Sequence, residues 1–357
     1  MVMAKYIYIH SSLEPSGPTS QLLSIINSNQ INSGIYLFLI KKKSRYLKYN
    51  LNKNIIIISN LYKLILIIYR SKSKIICHSS GFKSDILNLF LKIFSLGKIK
   101  PVSTLRNIPW EDYPLLYGSC GYLYSLVHLL FLSNLNVICC SKPVYKIYKT
   151  SFLCSIRSTF IDNACAIEFP KLELKKKSYP LKNFRLISLA PLVKRKQIVE
   201  LIKLLDYSNH DFYLDIYGEG NLKFEIEKLC QTRENISFKG YKHIKSIDLD
   251  IYDAVISLSL SEGLPNSIIE FIVSGKYAIV SDIPAHIYLK KFCSNVLIFN
   301  KNSLSSLNRA LKQVKRLPPN KLEFAKARNY FSMNRMIKEY HKYYEDLISD
   351  QLTTFKN

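Results

Sequence analysis

The sequence predicts an α/β protein built as two doubly wound, parallel-sheet domains, and three observations carry that expectation. At 357 residues the chain is too long for one ordinary core and suits two. Short apolar runs alternate with helix-period segments through both halves, the pattern of strand–helix–strand crossovers. Between the halves, residues 169–180 are Lys-rich and bounded by proline, which reads as a linker. The expected division is therefore an N-terminal domain over 1–168, a second domain over 181–333 and a C-terminal helical segment over 334–357.

In the first domain, residues 5–9 predict a strand, 11–18 a loop and 19–27 a helix. Gly17 thus stands at a strand-to-helix junction, where a helix N-terminus can meet a phosphate. Strands follow at 35–40, 55–58, 75–77 and 102–105, with helices near 60–70 and 83–96. The basic run 41–45 is read as a solvated turn, with contact to lipid head groups or a pyrophosphate as the alternative. Residues 103–118 hold the only Trp, two Pro, Arg106, Glu111 and Asp112 without a clean period. They predict an irregular binding loop, the plain alternative being a packed loop anchored by Trp110. Residues 121–132 predict a buried helix and 137–140 a strand.

The second domain opens with a strand at 184–189 and a helix at 198–205. Arg195 and Lys196 fall at the junction between them, a place suited to a diphosphate. A strand at 213–217 ends in Gly218-Glu219-Gly220, and a strand at 236–238 leads to Gly240-Tyr241. Asp248 and Asp250 mimic a metal-binding pair but precede a strand, and they read as surface. Residues 254–281 are the most informative stretch: an apolar strand, the turn Glu262-Gly263-Leu264-Pro265, Asn266 as an expected N-cap, a helix with Ile268, Ile269, Ile272 and Val273 on one face, a stop at Gly275 and another strand. Glu262 and Glu270 flank the helix N-terminus. Carboxylates accept from hydroxyls, so the pair suits a sugar or ribose, and the helix N–H groups suit its phosphates. A final strand at 296–299 precedes a helix capped by Ser332, with Met336, Ile337, Tyr340, Tyr343, Tyr344, Leu347 and Ile348 repeating at helical spacing.

The formal charge is +25, and residues 1–168 carry 20 Lys and Arg against 6 Asp and Glu. That points to polyanionic partners such as phosphorylated substrates, an anionic leaflet or nucleic acid, unless it reflects only a Lys-rich composition. The eight Cys show no C-x-x-C pair and no nearby His at metal spacing, and read as reduced residues of a cytosolic protein. No metal site is expected. The apolar stretches 55–69 and 121–140 are each interrupted by polar residues and predict buried elements, not membrane spans. The N-terminal apolar run is too short for a signal peptide.

The Glu262-to-Glu270 string, with seven residues between the two acids and a Gly-x-Pro turn, resembles the signature of family 4 retaining glycosyltransferases of the GT-B fold. The resemblance is strongest over 184–290. It implies two Rossmann-like domains facing each other across a cleft, a UDP- or GDP-sugar donor held mainly by the second, and no further cofactor. Glu262 with the N–H groups of Gly263 and Leu264 would hold the sugar, and Glu270 the ribose. Lys196, Arg195 and the N–H groups at Asn266 and Ser267 would bind the diphosphate and offset its growing charge without a metal. Gly17 would face the donor, and the backbone near Tyr241 would read the base.

This chain departs from the family pattern at three places. Ala190 and Pro191 replace a Gly-Arg pair, Ala164 replaces a glycine, and Arg106 stands where many relatives have His. Arg106 can hold a phosphate or hydroxyl but cannot act as a base; Asp112 would be the carboxylate nearest the acceptor hydroxyl. By analogy, the acceptor would be a lipid-diphosphate-linked oligosaccharide of bacterial surface-polysaccharide (O-antigen or capsule) assembly, met at the cytoplasmic, inner face of the plasma membrane, with no role for nucleic acid. The rival readings are another nucleotide-sugar enzyme on the same fold, such as an epimerase, and a non-enzymatic basic protein that binds nucleic acid.

Overall fold

In the first half of the chain, apolar runs of four to seven residues become the strands β1 (Lys5–His10), β2 (Ile35–Leu39), β3 (Ile55–Ile58), β4 (Ile75–Ser79), β5 (Ile99–Leu105), β6 (Asn136–Cys139) and the shorter β7 (Ser158–Phe160). In the second half they become β8 (Phe184–Leu189), β9 (Phe212–Tyr217), the three-residue β10 (Ile236–Phe238), β11 (Ala254–Ser257), β12 (Tyr277–Ser281) and β13 (Val296–Phe299). The computed structural model describes residues 5–14, 16–28, 34–41, 51–165, 181, 184–208 and 211–349. The expected linker at 169–180, the domain end at 168 and most of the basic run 41–45 lie outside the described residues. By contact the chain divides into one unit of Met1–Asn163 with Met333–Asn357 and another of Ala164–Ser332.

Among the described residues each unit holds one all-parallel sheet. The first runs β3-β2-β1-β4-β5-β6-β7, the second β10-β9-β8-β11-β12-β13. In each, the order reverses at the unit's first strand, between β1 and β4 and between β8 and β11. Parallel sheets carry helices on both faces, so successive strand residues enter different apolar layers. In the second unit Ile256 joins the layer of Leu186, Leu214 and Ile279, while Val255 joins that of Ile187, Ala278 and Val280. In the first unit Ile7 and Ile9 pack beneath Leu64 and Ile68 of the helix Leu61–Arg70. The opposite face presents Tyr6 and Tyr8. There the C-terminal helix Met333–Ile348 seats Tyr344 against Tyr6 at 5.8 Å between ring centroids, and the Tyr344 hydroxyl meets His78 Nδ1 at 2.6 Å.

Two expectations are corrected. Residues 103–118 are not an irregular loop: β5 runs to Leu105 and a helix spans Pro109–Tyr117. Pro109 supplies the fixed φ that suits a first helical turn, and Trp110 packs at the edge of the core. The helix Cys120–Leu132 packs so tightly on it that a Cβ on Gly121 would lie 2.3 Å from the Tyr113 backbone. The second correction concerns that helix itself. It is not buried on most faces, for Tyr122, Leu123, Tyr124, Leu126 and Leu130 are exposed.

Candidate functional site

In doubly wound sheets ligands bind beyond the carboxyl ends of the strands where the strand order reverses. In the second unit that point lies between β8 and β11, which pair in register from Ala254 with Leu186. Two loops leave the sheet there, 190–197 after β8 and 258–265 after β11.

The first loop is shaped by glycine. Ala190 N–H donates to Tyr217 C=O, Leu192 N–H to Glu219 C=O and Leu222 N–H to Leu192 C=O, so the loop is laced to Gly218-Glu219-Gly220. The approach is close enough that a Cβ on Gly218 would sit 2.0 Å from Ala190 O, and one on Gly220 would sit 2.3 Å from Leu192 O. The chain then makes one 3-10 turn, Lys194–Lys196, and passes through Gln197 at φ 53°, a left-handed conformation that costs a side-chain-bearing residue about 1 kcal/mol. The helix Ile198–Asp206 follows. The turn and the left-handed link deliver Arg195 and Lys196 to the second loop.

That loop is held by hydrogen bonds from both sides. Leu260 N–H donates to Arg195 C=O at 2.9 Å, and Arg195 Nη1 donates to Ser261 C=O at 2.6 Å. Glu262 gathers the charges: Oε2 accepts from Arg195 Nη1 at 2.9 Å, and Oε1 accepts from Ser259 Oγ at 2.8 Å and from Lys196 Nζ. Glu262 is 9% exposed and Lys196 8%. Burial alone would push the Glu262 carboxyl up. Lys196 and Arg195 outweigh it and hold the group at about 2, fully ionised at neutral pH.

Behind Glu262 lies a buried relay that sequence reasoning missed. Ser281, at the end of β12, donates to Ser259 C=O at 2.7 Å, and Ser281 C=O lies 2.9 Å from His286 Nδ1. A carbonyl partner places the proton on Nδ1, leaving Nε2 as an acceptor; Nε2 is buried without a hydrogen-bond partner. Burial lowers the imidazole to about 4, so His286 is neutral at physiological pH.

The turn then enters the helix Asn266–Val273. Pro265 occupies the N-cap position and Asn266 is the first helical residue, a correction to the expected cap. The first bond of the helix, Ile269 N–H to Pro265 C=O, is 3.1 Å, and the N–H groups of its first turn point along the axis towards the loops. Glu270 is 8% exposed and makes no side-chain hydrogen bond or ion pair among the described residues. Burial pushes it up to about 8, against a smaller opposing effect of Lys245. The two acids of the motif are therefore in opposite states, Glu262 ionised and Glu270 largely protonated at neutral pH. Tyr241 is exposed, just after Gly240, whose carbonyl accepts from Gly218 N–H. Asp248 caps a single turn by accepting from Asp250 N–H at 3.0 Å.

In the first unit the carboxyl ends of the strands gather a second polar set. Arg106, just past β5, reaches Ser80 Oγ at 3.4 Å and Asn163 Oδ1 at 3.3 Å. His10 ends β1 and meets Thr19 Oγ1 at 3.2 Å through Nε2; burial, and then Arg106, lower it to about 4. His10 was not foreseen. Gly17 opens the helix Gly17–Ser28, with Thr19 N–H donating to Ser16 Oγ at 3.2 Å. Asp112 lies in the first turn of the helix Pro109–Tyr117 and accepts from Asn107 Nδ2 at 3.2 Å.

Comparison with known proteins agrees with this layout. Residues 171–332 match the family model described as "Glycosyl transferases group 1". The chain is 26% identical over 290 residues to the Escherichia coli "O-antigen biosynthesis glycosyltransferase WclY", covering 78% of this chain and 80% of that protein. Among solved structures, Anabaena Alr3699/HepE in complex with UDP and glucose superposes with a TM-score of 0.74 at 13% identity, over 96% of this chain and 99% of that one. WaaG, a glycosyltransferase involved in lipopolysaccharide biosynthesis, gives 0.68 at 10% identity over 96% and 99%. The fold of both units is thus that of the GT-B glycosyltransferases.

Proposed function

Since residues 171–332 match the family of glycosyl transferases group 1, we propose that the chain is a retaining hexosyltransferase that moves a sugar from a nucleotide-diphosphate donor to a hydroxyl of a lipid-diphosphate-linked oligosaccharide in surface-polysaccharide assembly. The convergence of Arg195 and Lys196 on Glu262, at the strand-order reversal and beside a helix N-terminus, carries this reading. The WclY relative supports the place in surface-polysaccharide assembly, and the UDP complex of HepE supports the donor class.

The main physical problem of the reaction is negative charge growing on the departing diphosphate. Lys196, Arg195 and the first-turn N–H groups at Asn266 and Ser267 form a preorganised positive site, and such donors contribute a few kcal/mol each. On this reading no metal and no cofactor beyond the donor is needed. Glu262 keeps both cations in place and charged; its orientation, with the Gly263 and Leu264 backbone, fixes the sugar. Glu270 accepts from ribose hydroxyls, and the backbone near Tyr241 meets the base. Arg106 and Asp112 serve the acceptor, with the acceptor lipid held at the anionic, cytoplasmic face of a membrane. No helix among the described residues is long and apolar enough to cross a membrane.

The test is transfer of label from UDP- and GDP-sugars to a lipid-diphosphate oligosaccharide, with the product's anomeric configuration read by NMR. Glu262→Ala and Lys196→Ala are expected to lose turnover by a factor of about a hundred or more. Full turnover in either would overturn the assignment, as would epimerised donor in the absence of acceptor.

A further inference from the structure

Two helices of the first unit are turned inside out. The helix Phe82–Phe94 buries Ser84, Asp85 and Asn88 with one leucine, Leu91, and exposes Ile86, Phe90, Ile93 and Phe94 at helical spacing. The helix Cys120–Leu132 buries Gly121, Ser125 and His128 with two leucines, and exposes Tyr122, Leu123, Leu126 and Leu130 on the other side. A helix facing water shows the reverse arrangement.

The inversion is fixed by a buried polar network, in which the side-chain oxygen of Asn88 alone is left without a partner among the described residues. Asp85 accepts from Ser79 Oγ at 2.6 Å and pairs with His128 Nε2 at 2.8 Å, and His128 Nδ1 meets the Tyr113 hydroxyl at 2.8 Å. Asn88 Nδ2 donates to Cys77 and Val102 carbonyls, each at 2.9 Å, and Ser125 Oγ to Pro109 C=O at 2.8 Å. These bonds set the rotation of both helices, so the apolar stripes cannot turn inward without orphaning several buried polar groups. The helices lie side by side, the Phe82 ring packing on those of Tyr124 and Phe131 with centroids 5.7 and 6.2 Å apart. The stripes therefore form one surface.

We propose that this surface docks on an anionic lipid bilayer. From Tyr113 to Ser141 the chain contains no Lys, Arg, Asp or Glu, so nothing charged has to be desolvated over the helix Cys120–Leu132. Tyr122 and the neighbouring Tyr117 and Tyr124 have the apolar body and polar tip that suit the head-group level. Across both helices the sole acidic residue is Asp85, and it is buried; Lys83 and Lys92 edge the surface, Lys92 reaching Asn134 C=O at 2.7 Å. The +25 chain is attracted to an anionic leaflet and repelled by a second copy of itself, so the lipid is the favoured occupant. Thirteen residues span about 20 Å of helix, short of the ~30 Å hydrocarbon core, so the contact lies in the interface and does not cross it. The purpose of such docking rests on the membrane-borne acceptor proposed above; its test does not.

That test is co-sedimentation of the full chain with vesicles of phosphatidylcholine alone or mixed with phosphatidylglycerol, without nucleotide sugar. The wild-type chain is expected to sediment with the mixed vesicles, more weakly with the neutral ones, and less as salt rises. Leu123→Glu and Phe90→Ser, both at the surface, should each weaken binding about tenfold while leaving the melting temperature and the donor-induced melting shift in place. Wild-type-like binding by both variants, or no binding by the wild type, overturns the proposal. So does a lipid-free dimer in sedimentation velocity that Leu123→Glu dissolves. A retained donor shift beside failed vesicle binding would leave the transferase reading standing.

Discussion

Lys196 donates to Glu262 from a different strand's loop, and both residues are more than nine-tenths out of solvent. Removing one member of such a pair strands the other's charge in the interior, which costs about 3 kcal/mol, whereas replacing both together costs far less. Lys196→Met and Glu262→Gln are each expected to lower stability by about that amount. The double variant should recover part of the loss, leaving a coupling of about 1–3 kcal/mol in a urea-unfolding cycle. Strict additivity would show that the two groups do not depend on each other.

The same pair sets the acid limit. The folded Glu262 carboxyl titrates near 2, against an ordinary value of 4.5. A carboxylate lowered in this way adds stability that is fully present above pH 4.5 and is lost as pH falls towards 2. The urea midpoint of the wild type should therefore drop through that window. Glu262→Gln should drop less, because its side chain has no proton to take up. Parallel acid profiles for the two proteins would contradict the ion-pair assignment.

Gly220 tests whether the turn behind the cations matters. An added Cβ would meet Leu192 backbone atoms at 2.3–2.8 Å, with no flexible side chain to give way. Gly220→Ala must push the 190–197 loop outward and with it Arg195 and Lys196. The expected result is a loss of about 2 kcal/mol in stability together with a weakened melting response to nucleotide sugar. Unchanged stability and donor response would show that the loop tolerates displacement.

Much of this was legible in the sequence for a local reason. At 254–281 the apolar period switches from two to 3.6 and back, with Pro265 and Gly275 at the changes, and strand, helix and strand form there in that order, although the first strand stops at Ser257, short of the expected Leu260, and the cap falls on Pro265. What was not legible depends on distant contacts. Glu262 meets Lys196, 66 residues earlier, because β8 and β11 are neighbours, and no local pattern states strand order. The relay through Ser259, Ser281 and His286 is likewise made by β11 and β12 lying side by side. The helix Pro109–Tyr117 was obscured by Pro114 within it and by its lack of an apolar stripe. The uncharged helix Cys120–Leu132 read as buried because composition cannot show that its Ser125 and His128 face inward.

Glu270 makes the opposite prediction to Glu262. Burial raises it from 4.5 to about 8. Between those values the folded chain holds a proton that the unfolded chain has released, so stability falls as pH rises through the window and levels off above it. Glu270→Gln should flatten that slope. Ligand binding turns the same group into a proton counter. Ribose hydroxyls donating to Glu270 would favour its ionised form and pull its pKa down. Nucleotide binding at neutral pH should then release protons and tighten as pH climbs towards 8. Calorimetric titration of UDP or GDP in two buffers of different ionisation enthalpy measures that release directly. Glu270→Gln should bind more weakly and release no proton. A wild-type chain that binds nucleotide without proton release at neutral pH would place the ribose elsewhere.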